Sequence, residues 1–120
     1  MRKSTATIRR GNIVLVPFPF TDLSAVKVRP SVVISADNTG SADIVAAFIS
    51  SKVPRTAFKD DVPVTRETDK RSMGLKTDSL VKCRKIVTLD RAIILGELGV
   101  APPAVMKEVD GRIKIILGLF

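Results

Sequence analysis

The sequence predicts a small antiparallel β-barrel with one helix at its C-terminal end. Three observations carry that expectation. Short apolar runs recur along most of the chain, each bounded by Gly, Pro, Asn, Asp or Ser. From Pro102 onward the apolar period lengthens, and Val105, Val109, Ile113 and Ile116 fall at helical spacing. The chain has 120 residues, which fits a single domain that buries roughly two-thirds of the surface its unfolded form exposes.

Taken in order, residues 1–10 carry Arg2, Lys3, Arg9 and Arg10 with little apolar content, and read as a loose basic arm ahead of one domain spanning 11–120. Gly11 opens a strand over 13–16. "PFPF" at 17–20 is expected to stop pairing, because proline lacks the donor N–H. Residues 21–28 read as a polar loop, 31–35 as a strand and 36–42 as a turn cluster. Residues 43–51, "DIVAAFISS", form a further strand, followed by a loop over 52–61 with the cations Lys52, Arg55 and Lys59. Residues 62–64 pair briefly, and 67–74 make a turn. Over 79–87, alternation assigns Leu80, Lys82, Arg84 and Ile86 to one face and Val81, Cys83, Lys85 and Val87 to the other. Residues 88–100 fit a strand or a helical turn equally. Pro102 and Pro103 suit a helix start, and Gly111 weakens the middle of a helix of about four turns. There is no internal repeat.

Composition narrows the chemistry. Twenty basic against twelve acidic residues leave a net charge of +8, which on so small a domain favours a polyanionic partner, most often nucleic acid. Aromatic residues make up 4%, with no Trp and no Tyr, so base stacking can contribute little. The single Cys83 allows no intrachain disulfide and suits a reducing cytoplasm. The basic N-terminus has too short an apolar run for a signal peptide or a membrane span. No histidine is present, which excludes a His general base, a Ser–His triad and His-liganded zinc; one cysteine cannot build a thiolate site. No metal or cofactor is expected, and any chemistry falls to Arg, Lys, Ser, Thr, Asp or Glu.

One stretch stands apart. In "VKVRPSVVIS", residues 26–35, an arginine is joined to a proline just where β-branched residues begin. With its surroundings, "GNIVLVPFPFTDLSAVKVRPSVVIS", it resembles the opening of the MazF/PemK/Kid family of toxin endoribonucleases. The later blocks follow in that family's order: a strand ending in a hydroxyl pair ("AAFISS"), a basic loop, "DSLVKCRKIVTLDR", and a C-terminal helix. The resemblance runs from about Gly11 to the end of the chain. It implies an SH3-like barrel that forms a homodimer, cleaves single-stranded RNA such as mRNA without a metal, and is neutralised by a conjugate antitoxin.

The same resemblance implies roles for individual residues. Arg29 corresponds to the arginine that acts on the scissile phosphate. It would stand at the barrel mouth, where the loop enters the strand, with its forked donors set for a bidentate contact and its backbone direction held by Pro30. Ser50 falls where the family usually has a threonine, with Ser51 beside it. Lys82 falls where some members carry arginine, and Arg84 where those members carry aspartate. Lys27 and Lys52 would add phosphate-binding charge. A cation at position 84 favours RNA binding but removes a proton acceptor, leaving Asp22 or Asp37 as substitutes. Cys83 should face the core as an inert, small hydrophobe. Two alternatives stay open: a family member that binds RNA or a partner without cleaving, and a toxin acting on a protein, as CcdB, similar in fold, does.

Overall fold

The structure, a computed structural model, describes residues 8–19, 26–37, 40–55 and 59–120. Six strands and two helices follow in the order β1 (Asn12–Pro19), β2 (Val26–Val33), β3 (Asp43–Ser50), β4 (Asp61–Val64), α1 (Glu67–Met73), β5 (Ser79–Asp90), β6 (Gly96–Val100) and α2 (Pro103–Leu117), with a 3₁₀ turn over Arg91–Ile93. The strands make one curled antiparallel sheet in the order β4-β5-β3-β2-β1-β6. The mostly-β fold with a terminal helix that the sequence predicts is the fold that forms.

Both faces of the central strands are covered, which is why their sequences read as apolar runs rather than as alternation. On one face Ile13, Val32, Ala47, Ile49 and Val81 pack beneath Val105, Met106 and Val109 of α2 and Met73 of α1. On the other, Val14, Val16, Val33, Ile44, Phe48 and Leu89 enclose a second cluster with Ile94. Burying side chains of this size stabilises by roughly 1.5–3 kcal/mol each. In α2 the residues at helical spacing do face inward: Val105 and Val109 are buried, and Ile113 and Ile116 pack against the same cluster.

Several local expectations are corrected. β1 continues through "PFP" and pairs with β2 as far as Pro19↔Val26. The Leu15 carbonyl accepts from the Leu95 N–H on the β6 side. Pro17, of the same parity, therefore turns its donorless nitrogen away from β2, where no ladder bond is missed. Residues 26–28, assigned to a loop, belong to β2; residues 20–25 lie outside the described residues. Residues 67–74 are not a turn but α1 and its cap, with Gly74 left-handed at φ 71°. Residues 88–100 resolve into the end of β5, the 3₁₀ turn and β6.

The N-terminal residues that are described are not loose. Ile8 is buried in the second cluster. The Arg10 guanidinium pairs with Asp110 of α2 and donates to the Ile34 carbonyl, and its backbone N–H donates to Asp37 Oδ1 at 2.7 Å. Residues 1–7 of the expected arm lie outside the described residues. No helix among the described residues is long and apolar enough to cross a membrane.

β6 is held against α1 so closely that glycine is required. A Cβ on Gly99 would lie 2.2 Å from the Ser72 carbonyl oxygen, a backbone atom that cannot step aside. Gly99→Ala should therefore cost about 1–3 kcal/mol, measurable as a lowered urea midpoint with an unchanged slope.

Candidate functional site

The site begins with a missing hydrogen bond. β2 pairs with β3 over Ser31↔Phe48, Val32↔Ala47 and Val33↔Ala46, and the Ile34 N–H donates to the Val45 carbonyl at 2.9 Å. Alternate residues of β2 thus turn their backbone groups toward β3, and Pro30 is the next in that series. It has no N–H to offer the Ile49 carbonyl, and the ladder stops there. β2 carries on toward Val26 paired to β1 alone, while β3 carries on to Ser50 paired to β5. The two strands part, and a cavity of about 660 Å³ opens in the fork.

β2 contributes Lys27, Arg29 and Pro30 to one wall of this cavity. Arg29 is half-buried in mid-strand, opposite Val16 of β1, rather than where a loop enters the strand. The end of β3 contributes Phe48 and Ser50, and the chain beyond it Ser51 and Lys52. Ser50 Oγ accepts the Lys52 N–H at 3.1 Å. That bond uses an acceptor lone pair and leaves the hydroxyl proton free to be donated to an anion. Leu75 and Leu98 give the remaining wall an apolar section, beside Lys76, Thr77 and Lys85.

Five of the seven residues singled out in the sequence therefore meet at one cavity: Lys27, Arg29, Ser50, Ser51 and Lys52. Lys82 and Arg84 do not line it. A bulge in β5 is the reason. Ala47 faces Ile86, but the next residue, Phe48, faces Lys82, so Cys83, Arg84 and Lys85 have no partner on β3. Before the bulge the register is regular, and Leu80 and Val81 are both fully buried because both faces of β5 are covered there. Lys82 turns to Asp61 of β4 at 2.7 Å, and Arg84 meets Asp60 at 2.6 Å. The Arg84 hydrogen bond holds the Asp60 carboxyl below the usual carboxylate range. Lys85 takes a place on the cavity, with its Nζ 5.8 Å from the centre of the Phe48 ring, within cation–π range. Lys85, Lys76 and Thr77 were missed in the sequence, because a bulge leaves no mark on alternation and a turn residue's wall is chosen by tertiary contacts.

Four cations away from the cavity are ion-paired: Arg10 with Asp110, Lys70 with Asp78, Lys82 with Asp61 and Arg84 with Asp60. On the cavity, the side chains of Lys27, Arg29, Lys52 and Lys76 have no ion pair with any described residue, and no Asp or Glu is among the lining residues. Of the two carboxylates considered as bases, Asp37 is engaged by the Arg10 N–H and does not line the cavity, and Asp22 lies outside the described residues. A cleft lined by one sign of charge over low-dielectric walls concentrates counter-ions. This one suits a ligand with anionic and apolar parts.

Residues 9–117 match the family described as PemK-like, MazF-like toxin of type II toxin–antitoxin system. The chain belongs to that family. Solved structures share the fold. An endoribonuclease in complex with its cognate antitoxin, from a mycobacterial species, superposes with a TM-score of 0.73 at 21% identity, covering 95% of this chain and 98% of that one. MazF from Deinococcus radiodurans gives 0.72 at 22% identity, covering 93% and 97%. The Mycobacterium tuberculosis toxin MazF-mt6 gives 0.71 at 18% identity, covering 91% and 98%.

Cys83, in the β5 bulge of this toxin-family fold, is fully buried as the sequence predicts, and burial pushes its thiol up to about 11. Since the thiolate is the nucleophile, native protein at pH 8 should resist iodoacetamide, whereas urea-unfolded protein should be labelled at the rate of an ordinary thiol. Equal labelling rates, followed by mass spectrometry, would place Cys83 at the surface.

Proposed function

We propose that this toxin is an endoribonuclease that cleaves single-stranded RNA, mRNA included, by attack of a ribose 2′-OH on the adjacent phosphate, with no metal taking part. The observation that carries this reading is the cluster of cations around Arg29 and Ser50 that no carboxylate of the described residues neutralises. The names of the structural neighbours, endoribonuclease among them, point the same way.

In that reaction the 2′ oxygen bonds to phosphorus and the 5′ oxygen leaves. Negative charge builds on the non-bridging oxygens as it does so. Arg29 can meet two of those oxygens with its paired donors, and the Ser50 hydroxyl can donate to one. Lys27 and Lys52 draw the strand in. The interface is mainly electrostatic. Affinity for RNA should then fall with salt at about −0.7 per phosphate neutralised on a log–log plot.

A second reading rests on one observation. No carboxylate among the described residues lines the cavity to accept the 2′ proton, and the sequence has no histidine, which favours a chain that binds RNA or a protein and cleaves weakly or not at all. Mixed single-stranded RNA incubated with the toxin in excess chelator decides between them: mapped 2′,3′-cyclic phosphate ends support cleavage, and intact RNA supports binding alone. If cleavage occurs, Arg29→Ala should lower its rate about 10²–10³-fold. Arg29→Lys should lose most activity, for want of the bidentate contact. Ser50→Ala should cost about tenfold, the worth of one neutral hydrogen bond. Circular dichroism should show the fold intact in all three.

Two partners belong to the same proposal. A conjugate antitoxin would place an acidic segment in this cleft and compete with RNA. A second copy of the chain would cover apolar side chains left exposed, among them Val28, Val100, Ile115 and Leu117. Sedimentation at tens of micromolar should show a dimer, and a monomer there would refute the pairing.

A further inference from the structure

The wall of the cavity opposite β2 and β3 is built by residues 74–79, and it is unusually well fixed for a connecting segment. α1 ends in a left-handed Gly74, with the Gly74 N–H donating to the Arg71 carbonyl at 3.2 Å and the Leu75 N–H to the Lys70 carbonyl at 2.8 Å. A Cβ on Gly74 would lie 2.3 Å from the Leu98 carbonyl oxygen, so the segment is seated directly on β6. Ser72 Oγ donates to the Val100 carbonyl at 2.7 Å, and Ser79 Oγ donates to the Thr77 carbonyl at 2.9 Å.

The charges of this segment are sorted as well. Its one carboxylate, Asp78, does not line the cavity and is held by Lys70 Nζ at 2.8 Å. Lys70 lies 3.4 Å from Glu67 as well. Lys76 and Thr77 do line the cavity, and Lys76 has no ion pair with any described residue. A rigid support, a neutralised carboxylate and an unpaired ammonium beside a hydroxyl make an anion subsite. It is built on a different element from Arg29 and Ser50, and the apolar side chains of Leu75 and Leu98 share its wall.

We propose that Lys76 and Thr77 hold a second phosphate of the RNA, next along the strand from the one at Arg29. The intervening nucleoside would lie over Leu75, Leu98 and Pro30. The cavity volume of about 660 Å³ is within the range of about 300–1,000 Å³ that small-ligand sites occupy. The inference rests on the reading of the ligand as RNA. It makes two consecutive phosphates, rather than one, the unit the cleft grips.

An uncleavable 2′-O-methyl RNA trinucleotide of mixed sequence tests this. It carries two internucleotide phosphates, and either can be replaced by an uncharged methylphosphonate. Binding is read by fluorescence anisotropy. Lys76→Ala should weaken the unmodified trinucleotide about tenfold, equivalent to about 1.4 kcal/mol, and Thr77→Val somewhat less. Lys107→Ala, an exposed lysine of α2 away from the cavity, should change nothing. The Lys76→Ala loss should vanish when one particular phosphate is neutralised, and the Arg29→Ala loss when the other is. The proposal is overturned if the Lys76→Ala loss persists at both positions, or vanishes at the same position as that of Arg29→Ala. Failure of the wild type to cut ordinary RNA removes the nuclease reading and leaves this binding pattern standing. Failure to bind RNA at all overturns both.

Discussion

Pro30 withholds one backbone donor, and the cleft that holds the candidate site follows from it. In a sheet, each ladder bond fixes the next pair of residues, so a strand that loses its donor loses its neighbour from that point on. On the β1 side nothing is lost, because Pro30 and Leu15 form a pair that does not exchange hydrogen bonds; β2 remains a strand down to Val26. On the β3 side the ladder ends at Ser31↔Phe48. A cleft is thus cut into the sheet. Strands β2 and β3 form part of its wall, and strands hold side chains more firmly than loops do. Arg29 precedes the proline and Ser50 ends the strand left behind. The same break that opens the cleft places both on its rim.

The distribution of ion pairs gives the cleft its character. Exposed salt bridges are worth little to stability, about 0–1 kcal/mol each, so the pairs at Asp60, Asp61, Asp78 and Asp110 are better understood by what they remove. They tie carboxylates of β4, of α2 and of the segments beside β4 and α1 to cations that do not line the fork. Where β2, β3 and residues 74–79 converge, Lys27, Arg29, Lys52 and Lys76 have no ion pair with any described residue.

The β5 bulge is the second device. Three residues without partners on β3 let one strand serve two surfaces. Lys82 and Arg84 turn to the acidic residues of β4 and the segment before it, and Lys85 turns to the cleft. Cys83, between them, packs into the core. A carboxylate introduced at position 84 would stand against Asp60, outside the cleft, where it could take no part in proton transfer.

The sequence by itself determined the fold class, the terminal helix, the absence of imidazole chemistry and the joining of Arg29 to a proline. Each of these is written in quantities that a linear chain carries: the period of its apolar residues, its inventory of side chains, and a proline whose geometry is the same in any context. Pairing register was not written there. "PFP" looked like a stop because proline lacks a donor, yet which side of β1 that donor would have faced depends on where β6 lies. Alternation over 79–87 put Lys82 and Arg84 on one face, and the family resemblance put that face at the site, but three unpaired residues shift the face of everything that follows them, and alternation is blind to such a shift. Lys76 and Thr77 carry no signal in the sequence; the close approach of α1 and β6 at Gly74 and Gly99 sets their segment against the cleft. Tertiary structure decided the membership of the site, because which cations face one cavity is a matter of strand neighbours and close packing between segments far apart in the chain.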